Sequence, residues 1–197
     1  MRDDNVNHRG IFLFDGVDEL DFVGPLNVFS YASGWGRNGT VLTIGRHACS
    51  MQGVNGLRFE AQYVMDDAPM TDVLVVPGGL GTQELSIDEA VLGWLRERAA
   101  SARWICSVCT GSFVLQAAGL TRGRNITTHS KMLEQLRSHG GDHVVGDKRF
   151  VPDDKIVTAA GVSAGIDMAL WVVGQLYGEA HAKAVRASLD YDPAPPY

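Results

Sequence analysis

Asp72-Val73-Leu74-Val75-Val76-Pro77-Gly78-Gly79 decides the fold of this chain. From Asp72 to Val76 the run is almost purely β-branched and apolar, which predicts a central strand buried on both faces. Strands of that kind belong to mostly parallel sheets covered by helices. Pro77 removes a ladder donor and two glycines follow, so the strand ends there. Beyond it, Leu85, Val91, Leu92, Leu95 and Ala99 form one apolar face of a helix over Thr82 to Ser101. Arg103 to Ser107 is the next strand, and Gly111 to Ala118 a helix closed by Gly119 as its C′ glycine. Upstream, Gly10 to Phe14 and Thr40 to Gly45 are strands around a helix from about Asp18 to Tyr31, while Arg46 to Tyr63 suggests a hairpin or small meander. Downstream, Asn125 to Thr128 is a short strand, Ser130 to Ser138 a helix, and Asp142 to Thr158 carries strand material. Helices Ile166 to Tyr177 and Gly178 to about Asp190 follow, then a proline-fixed tail from Asp192 to Tyr197. The expected class is α/β, one domain over residues 1–197, with helices on both faces of a mostly parallel sheet.

A chain of 197 residues, 45% hydrophobic, buries a full core. Its net charge of -6 provides no basic field to gather phosphates, so a nucleic-acid or acidic-membrane partner is not expected. No apolar run of about eighteen residues spans a bilayer, and Met1 to Arg9 is polar, so a cytoplasmic location is expected. The odd cysteine count, Cys49, Cys106 and Cys109, speaks against a disulfide framework. Cys106 and Cys109 form a C-x-x-C, but Ser107-Val108 lacks turn chemistry and no second such pair exists to complete a zinc site. The histidines other than His129 show no ligand spacing, so a metal site is not expected.

The strongest chemical signal is a strand running through Trp104-Ile105 to Cys109 and directly into a small-residue helix at Gly111-Ser112. A cysteine on a sharp strand-to-helix turn projects at the carboxyl end of the sheet, and the positive helix end favours its thiolate. The alternative is a buried cysteine serving as a small hydrophobe. Val76-Pro77-Gly78-Gly79 offers backbone N–H groups that could meet a developing negative charge, although it also reads as an ordinary turn. Asp18 and Glu19 suit the N-terminus of a helix. Asp21 differs, because Leu20, Phe22 and Val23 flank it; a carboxyl desolvated among apolar neighbours gains a raised pKa suited to moving a proton. His129, in Thr127-Thr128-His129-Ser130, either orients the thiol or belongs to a strand end and helix cap.

Taken in chain order, Leu20-Asp21-Phe22-Val23-Gly24-Pro25, Val76-Pro77-Gly78-Gly79, Ser107-Val108-Cys109-Thr110-Gly111-Ser112, Thr127-Thr128-His129 and Asp190-Tyr191-Asp192-Pro193-Ala194-Pro195-Pro196-Tyr197 resemble the ThiJ/PfpI superfamily, related to class I glutamine amidotransferases. The Leu-Asp-x-x-Gly-Pro, Cys-Thr-Gly-Ser and Pro-Ala-Pro-Pro pieces are most similar to its isonitrile hydratase branch. The resemblance implies a flavodoxin-like sandwich, a homodimer, a small-molecule substrate and no cofactor. It makes Cys109 the nucleophile, Asp21 its acidic partner and Thr110 the residue whose hydroxyl and backbone contact that acid. Gly78, Gly79 and Thr110 are expected around a developing anion, with His129 beside the substrate. Ser107 replaces the first glycine of the amidotransferase nucleophile motif, and Thr110 stands where PfpI-type proteases carry histidine; both departures count against amide hydrolysis by a Cys-His-acid triad. Expected chemistry is hydration of an isocyanide to an N-substituted formamide through a thioimidate on Cys109. Two alternatives remain open: a glyoxalase- or deglycase-like enzyme, whose acid would be Glu19, and a ligand or redox sensor similar to the N-terminal domains of AraC-type regulators. The chain's end just after the proline tail, without a helix-turn-helix region, favours an enzyme.

Overall fold

A computed structural model describes residues 8–34 and 39–193. The chain opens with strand β1 (His8–Leu13), helix α1 (Glu19–Ala32) and β2 (Thr40–Gly45). An antiparallel pair, β3 (Met51–Gln52) and β4 (Arg58–Phe59), and the short β5 (Tyr63–Val64) fill the expected meander. The apolar run becomes β6 (Val73–Val76), all four of its residues fully buried. Then come α2 (Thr82–Leu85), α3 (Glu89–Ser101), β7 (Trp104–Val108) and α4 (Gly111–Ala117). A small parallel pair, β8 (Asn125–Ile126) and β9 (His143–Val144), encloses a 3-10 turn (Ser130–Met132) and α5 (Leu133–Ser138). Last are β10 (Phe150–Asp153), β11 (Ile156–Ala159), α6 (Ala164–Tyr177) and α7 (Glu179–Ser188).

The main sheet has the order β10-β11-β7-β6-β1-β2-β5, and β10 is its sole antiparallel member among the described residues. Helices α1, α6 and α7 pack together on one face, while α3 and α4 cover the other. After β1 the chain moves outward to β2 and later returns to lay β6 on the opposite side of β1. The strand order therefore reverses between β1 and β6, and the carboxyl edge at such a point is the usual ligand position in open α/β sheets. The ends of β1, β6 and β7, three adjacent parallel strands, deliver the candidate residues to that edge.

The predicted helix Thr82 to Ser101 is two helices. Asp88 interrupts it by turning its side chain onto the N–H groups of Ala90 (3.0 Å) and Val91 (3.4 Å), restarting the helix as an N-cap while Arg46 pairs with its carboxylate. The predicted strand Asn125 to Thr128 stops at Ile126, because Thr127 N–H turns to Thr158 Oγ1 (2.8 Å) and Thr128 Oγ1 to the Cys109 carbonyl (2.8 Å). Gly119 has the positive φ (74°) expected of a C′ glycine. Residues 194–197 of the predicted tail lie outside the described residues. No helix among the described residues is long and apolar enough to cross a membrane.

Helix α4 must approach the end of β6 closely, and Gly111 permits it: a Cβ there would overlap the carbonyl oxygen of Val76 and come within 2.8 Å of that of Pro77. Gly93, within α3, has open space where its Cβ would be. Gly111→Ala should lose about 2–4 kcal/mol in urea denaturation, because backbone rather than a flexible side chain must yield. Gly93→Ala should gain about 0.5–1 kcal/mol from helix propensity.

Candidate active site

Cys109 follows β7 directly and takes φ +54°, a left-handed conformation that costs a non-glycine residue about 1–3 kcal/mol and persists only where the surroundings fix it. They do so on every side. Its N–H donates to the carbonyls of Ala159 (3.1 Å) and Ala160 (2.8 Å), and its own carbonyl accepts from the Thr128 (2.8 Å) and Ser112 (3.1 Å) hydroxyls. Cys109 thereby sits at the strand-helix elbow as a buried residue, 9% exposed.

Asp21 arrives from the first turn of α1 and is completely buried. Its Oδ2 accepts the Gly78 N–H at 2.8 Å, and its Oδ1 is enclosed without a conventional hydrogen-bond partner among the described residues. The Cys109 thiol interacts with the same carboxyl and restrains its pKa. Burial is the larger influence and lifts Asp21 to about 7, with the charge of nearby Asp18 adding to the rise. Burial also pushes the Cys109 thiol up to about 12, reinforced by the Asp21 charge and opposed by the N–H groups of Thr110 and Val162. The charges acting on both groups are carboxylates, so the enclosed pair holds at most one negative charge near neutrality. Burial thus outweighs the helix end expected to favour thiolate, and the thiol and the carboxyl form one acid-base unit.

Gly78 is where a side chain is impossible. A Cβ would lie 2.6 Å from Thr110 N, 2.7 Å from Thr110 Oγ1 and 2.8 Å from Asp21 Oδ2. Gly79, at φ +133°, donates its N–H to Thr110 Oγ1 (2.9 Å), and that hydroxyl in turn faces the Gly79 carbonyl (3.3 Å). The loop after β1 is tied to the same turn by Asp18 N–H to Gly78 O at 2.9 Å. Two expected roles change. The N–H groups of Gly78 and Gly79 are bonded to Asp21 and Thr110, so they build the acid's mount rather than an open anion hole. Thr110 reaches Asp21 through that glycine turn, since its hydroxyl bonds Gly79 and its N–H faces the Cys109 sulfur.

His129 resolves toward the cap. Its Nδ1 accepts the Lys131 N–H (3.2 Å) at the head of the 3-10 turn, its ring lies against Gly161, and no hydrogen bond among the described residues joins it to Cys109. Glu19 lies apart from the thiol as well: its carboxylate accepts from Asn55 N (2.9 Å), Asn55 Nδ2 (2.6 Å) and Leu57 N (3.2 Å), fixing the turn between β3 and β4. Cys106 is buried within β7, where burial raises its thiol far above the usual range. Among the described residues, no group of three or more His, Cys, Asp or Glu could hold a metal.

Val162 was not singled out from the sequence. It lies in the loop between β11 and α6 at φ +42°, an outlier for a β-branched residue, and its N–H approaches the Cys109 sulfur. Its signal was present in Ala159-Ala160-Gly161-Val162-Ser163-Ala164-Gly165, a strand end running into small residues like that at Cys109 itself.

The sequence profile of the DJ-1/PfpI family matches residues 10–175, a span that contains both Asp21 and Cys109. The chain belongs to the DJ-1/PfpI family. Within it, the chain is 37% identical over 188 residues to an isonitrile hydratase of Pseudomonas putida, covering 95% of this chain and 80% of that protein. It is 28% identical to the Parkinson disease protein 7 homolog of Danio rerio, covering 91% of this chain and 94% of that one. A solved structure of a ThiJ/PfpI family protein from Pseudomonas syringae superimposes with a TM-score of 0.89 at 29% identity, covering 98% of this chain and 78% of that one. The flavodoxin-like DJ-1/PfpI sandwich expected from the motifs is the fold observed.

In this DJ-1/PfpI domain the retained proton on Asp21 has a consequence for stability. Because burial raises Asp21 from 3.8 to about 7, its contribution is fully present below pH 4 and is lost as pH rises through about 7, on the order of 4 kcal/mol in all. Asp21→Asn keeps the shape and an acceptor for Gly78 without the ionisation. Its advantage over wild type in urea denaturation should grow from pH 4.5 to pH 8; an equal difference at both pH values would contradict the raised carboxyl.

Proposed function

We propose that this protein is a cysteine-dependent isonitrile hydratase, adding water to an isocyanide to give an N-substituted formamide. The observation that carries this reading is the partner of the thiol. Cys109 meets the buried Asp21 carboxyl rather than a histidine, and Glu19 is engaged elsewhere. A Cys-His-acid triad builds up a charged imidazolium during acyl transfer. An enclosed thiol and carboxyl instead suit a neutral electrophile whose reaction relocates protons without leaving a net charge.

The isocyanide carbon accepts both a nucleophile and a proton. Cys109 Sγ forms the S–C bond while the thiol proton passes through Asp21 to that same carbon, giving a thioimidate. Asp21 then takes a proton from water as the oxygen attacks the carbon, and delivers it to nitrogen. Collapse breaks the C–S bond, releases the formamide and returns the proton to sulfur, so the cycle consumes one water and closes on the starting pair. The Gly78-Gly79 turn and Thr110 hold the carboxyl on the sulfur through both halves. The 37% identity to an isonitrile hydratase supports this choice within the family.

Turnover of an aromatic isocyanide and of methylglyoxal by wild type, Cys109→Ala and Asp21→Asn tests the reading. Wild type should produce the formamide and Cys109→Ala none. Asp21→Asn should fall by about 10²–10⁴, the usual worth of a positioned proton carrier, while Cys109 still reacts with iodoacetamide. Turnover of methylglyoxal alone would replace this reading with the glyoxalase one, and turnover of neither would favour a sensor.

A further inference from the structure

Val162 keeps its β-branched side chain at φ +42°, and such a conformation relaxes unless neighbouring groups hold it. One residue grips the chain on both sides of it. The Arg149 carbonyl accepts the Ala160 N–H (2.8 Å), ahead of Val162. Its guanidinium meets Ser163 Oγ through Nη1 and Nη2 (both 3.3 Å), immediately after Val162, and donates from Nε to Asp167 Oδ2 (2.9 Å) in the first turn of α6. Tyr191, in the C-terminal motif, closes the group by donating from its hydroxyl to Asp167 Oδ1 (3.2 Å). The Arg149 side chain is 53% exposed, and pairs so exposed add little to stability. What a planar fork supplies in that setting is orientation.

We propose that Arg149, held by Asp167 and Tyr191, is a positioning residue for Cys109: it fixes the turn over residues 160–163, whose Ala160 carbonyl accepts the Cys109 N–H and whose strained Val162 lies beside the sulfur. The inference rests on Cys109 being the nucleophile and extends that reading to a group on the outer surface of the site. It also gives Tyr191, a member of a motif that the proposed chemistry does not use, a part in the site. The ionisable groups around the sulfur are Asp21 and Asp18 at the start of α1; His129 lies against Gly161, and Arg149, Asp167 and Tyr191 stand behind the Val162 loop. Losing the Val162 N–H removes an interaction that favours thiolate, so the thiol should titrate higher.

The test is the pH dependence of iodoacetamide alkylation, read by mass spectrometry on the Cys109 peptide because Cys49 is exposed. Wild type is compared with Arg149→Gln, Arg149→Lys and Tyr191→Phe, with Tm measured alongside. Arg149→Gln should slow alkylation near neutrality roughly tenfold, the scale set by releasing a strained residue, and move the profile to higher pH with Tm close to wild type. Arg149→Lys should fail to restore it, since an ammonium does not span Ser163 and Asp167 as a fork; Tyr191→Phe should shift the profile less in the same direction. In a Val162→Gly background the effect of Arg149→Gln should shrink, because glycine adopts φ +42° readily. Unchanged profiles with Cys109 alkylated throughout would overturn the proposal and leave the nucleophile standing. A lower Tm with faster alkylation would show a merely structural role and overturn it too. Undiminished turnover of an aromatic isocyanide by Cys109→Ala would remove the nucleophile reading and this inference with it.

Discussion

Among the described residues, one backbone donor, the Gly78 N–H, is all that binds the Asp21 carboxyl by a conventional hydrogen bond. A buried carboxylate usually requires several donors or a cation to remain ionised. With one donor and a thiol instead, Asp21 keeps its proton to about pH 7. The rest of the site follows from that shortage. The thiol cannot ionise independently, because a second negative charge would be enclosed beside the first. The proposed chemistry at Cys109 is therefore proton-coupled, which separates this site from one built on a permanently charged partner.

The fold supplies the pair by ending three neighbouring parallel strands at one edge. Beyond β1, α1 carries Asp21 inward; beyond β6, Gly78 offers its N–H; beyond β7, the chain turns sharply at Cys109. Each approach is tight enough to dictate residue type. Gly78 admits no side chain between Thr110 and Asp21, and Gly111 lets α4 lie against the end of β6. Left-handed conformations at Cys109 and Val162 face one another across the Cys109 backbone bonds to Ala159 and Ala160, so two strained turns brace each other around one sulfur. Strain is concentrated where reactivity is proposed, and the surrounding hydrogen bonds hold it.

Much of this was legible in the sequence for definite reasons. An unbroken apolar run from Val73 to Val76 specifies a doubly covered strand, and all four residues of β6 are fully buried. Asp21 stood out because an acid among Leu20, Phe22 and Val23 must be desolvated if its helix packs on the sheet. Hydrogen-bond direction was not legible. The glycine N–H groups after β6 were expected to face substrate, yet Gly78 serves Asp21 and Gly79 serves Thr110. His129 fitted two roles, and only three-dimensional placement shows its Nδ1 capping the 3-10 turn. The apolar face over Thr82 to Ser101 concealed the Asp88 cap, because periodicity continues across a break when both pieces cover the same core. The small residues around Val162 mark a turn, but its own left-handed φ is not written in residue type, because a β-branched residue takes a conformation more usual for glycine.

The protonation of Asp21 at neutral pH is the claim on which the chemistry turns, and difference infrared spectroscopy observes it directly. Spectra of wild type minus Asp21→Asn, recorded across pH, should show a protonated carboxyl carbonyl band that persists at pH 6 and is lost through about pH 7. Loss of that band near pH 4, as for an aspartate in water, would contradict the account.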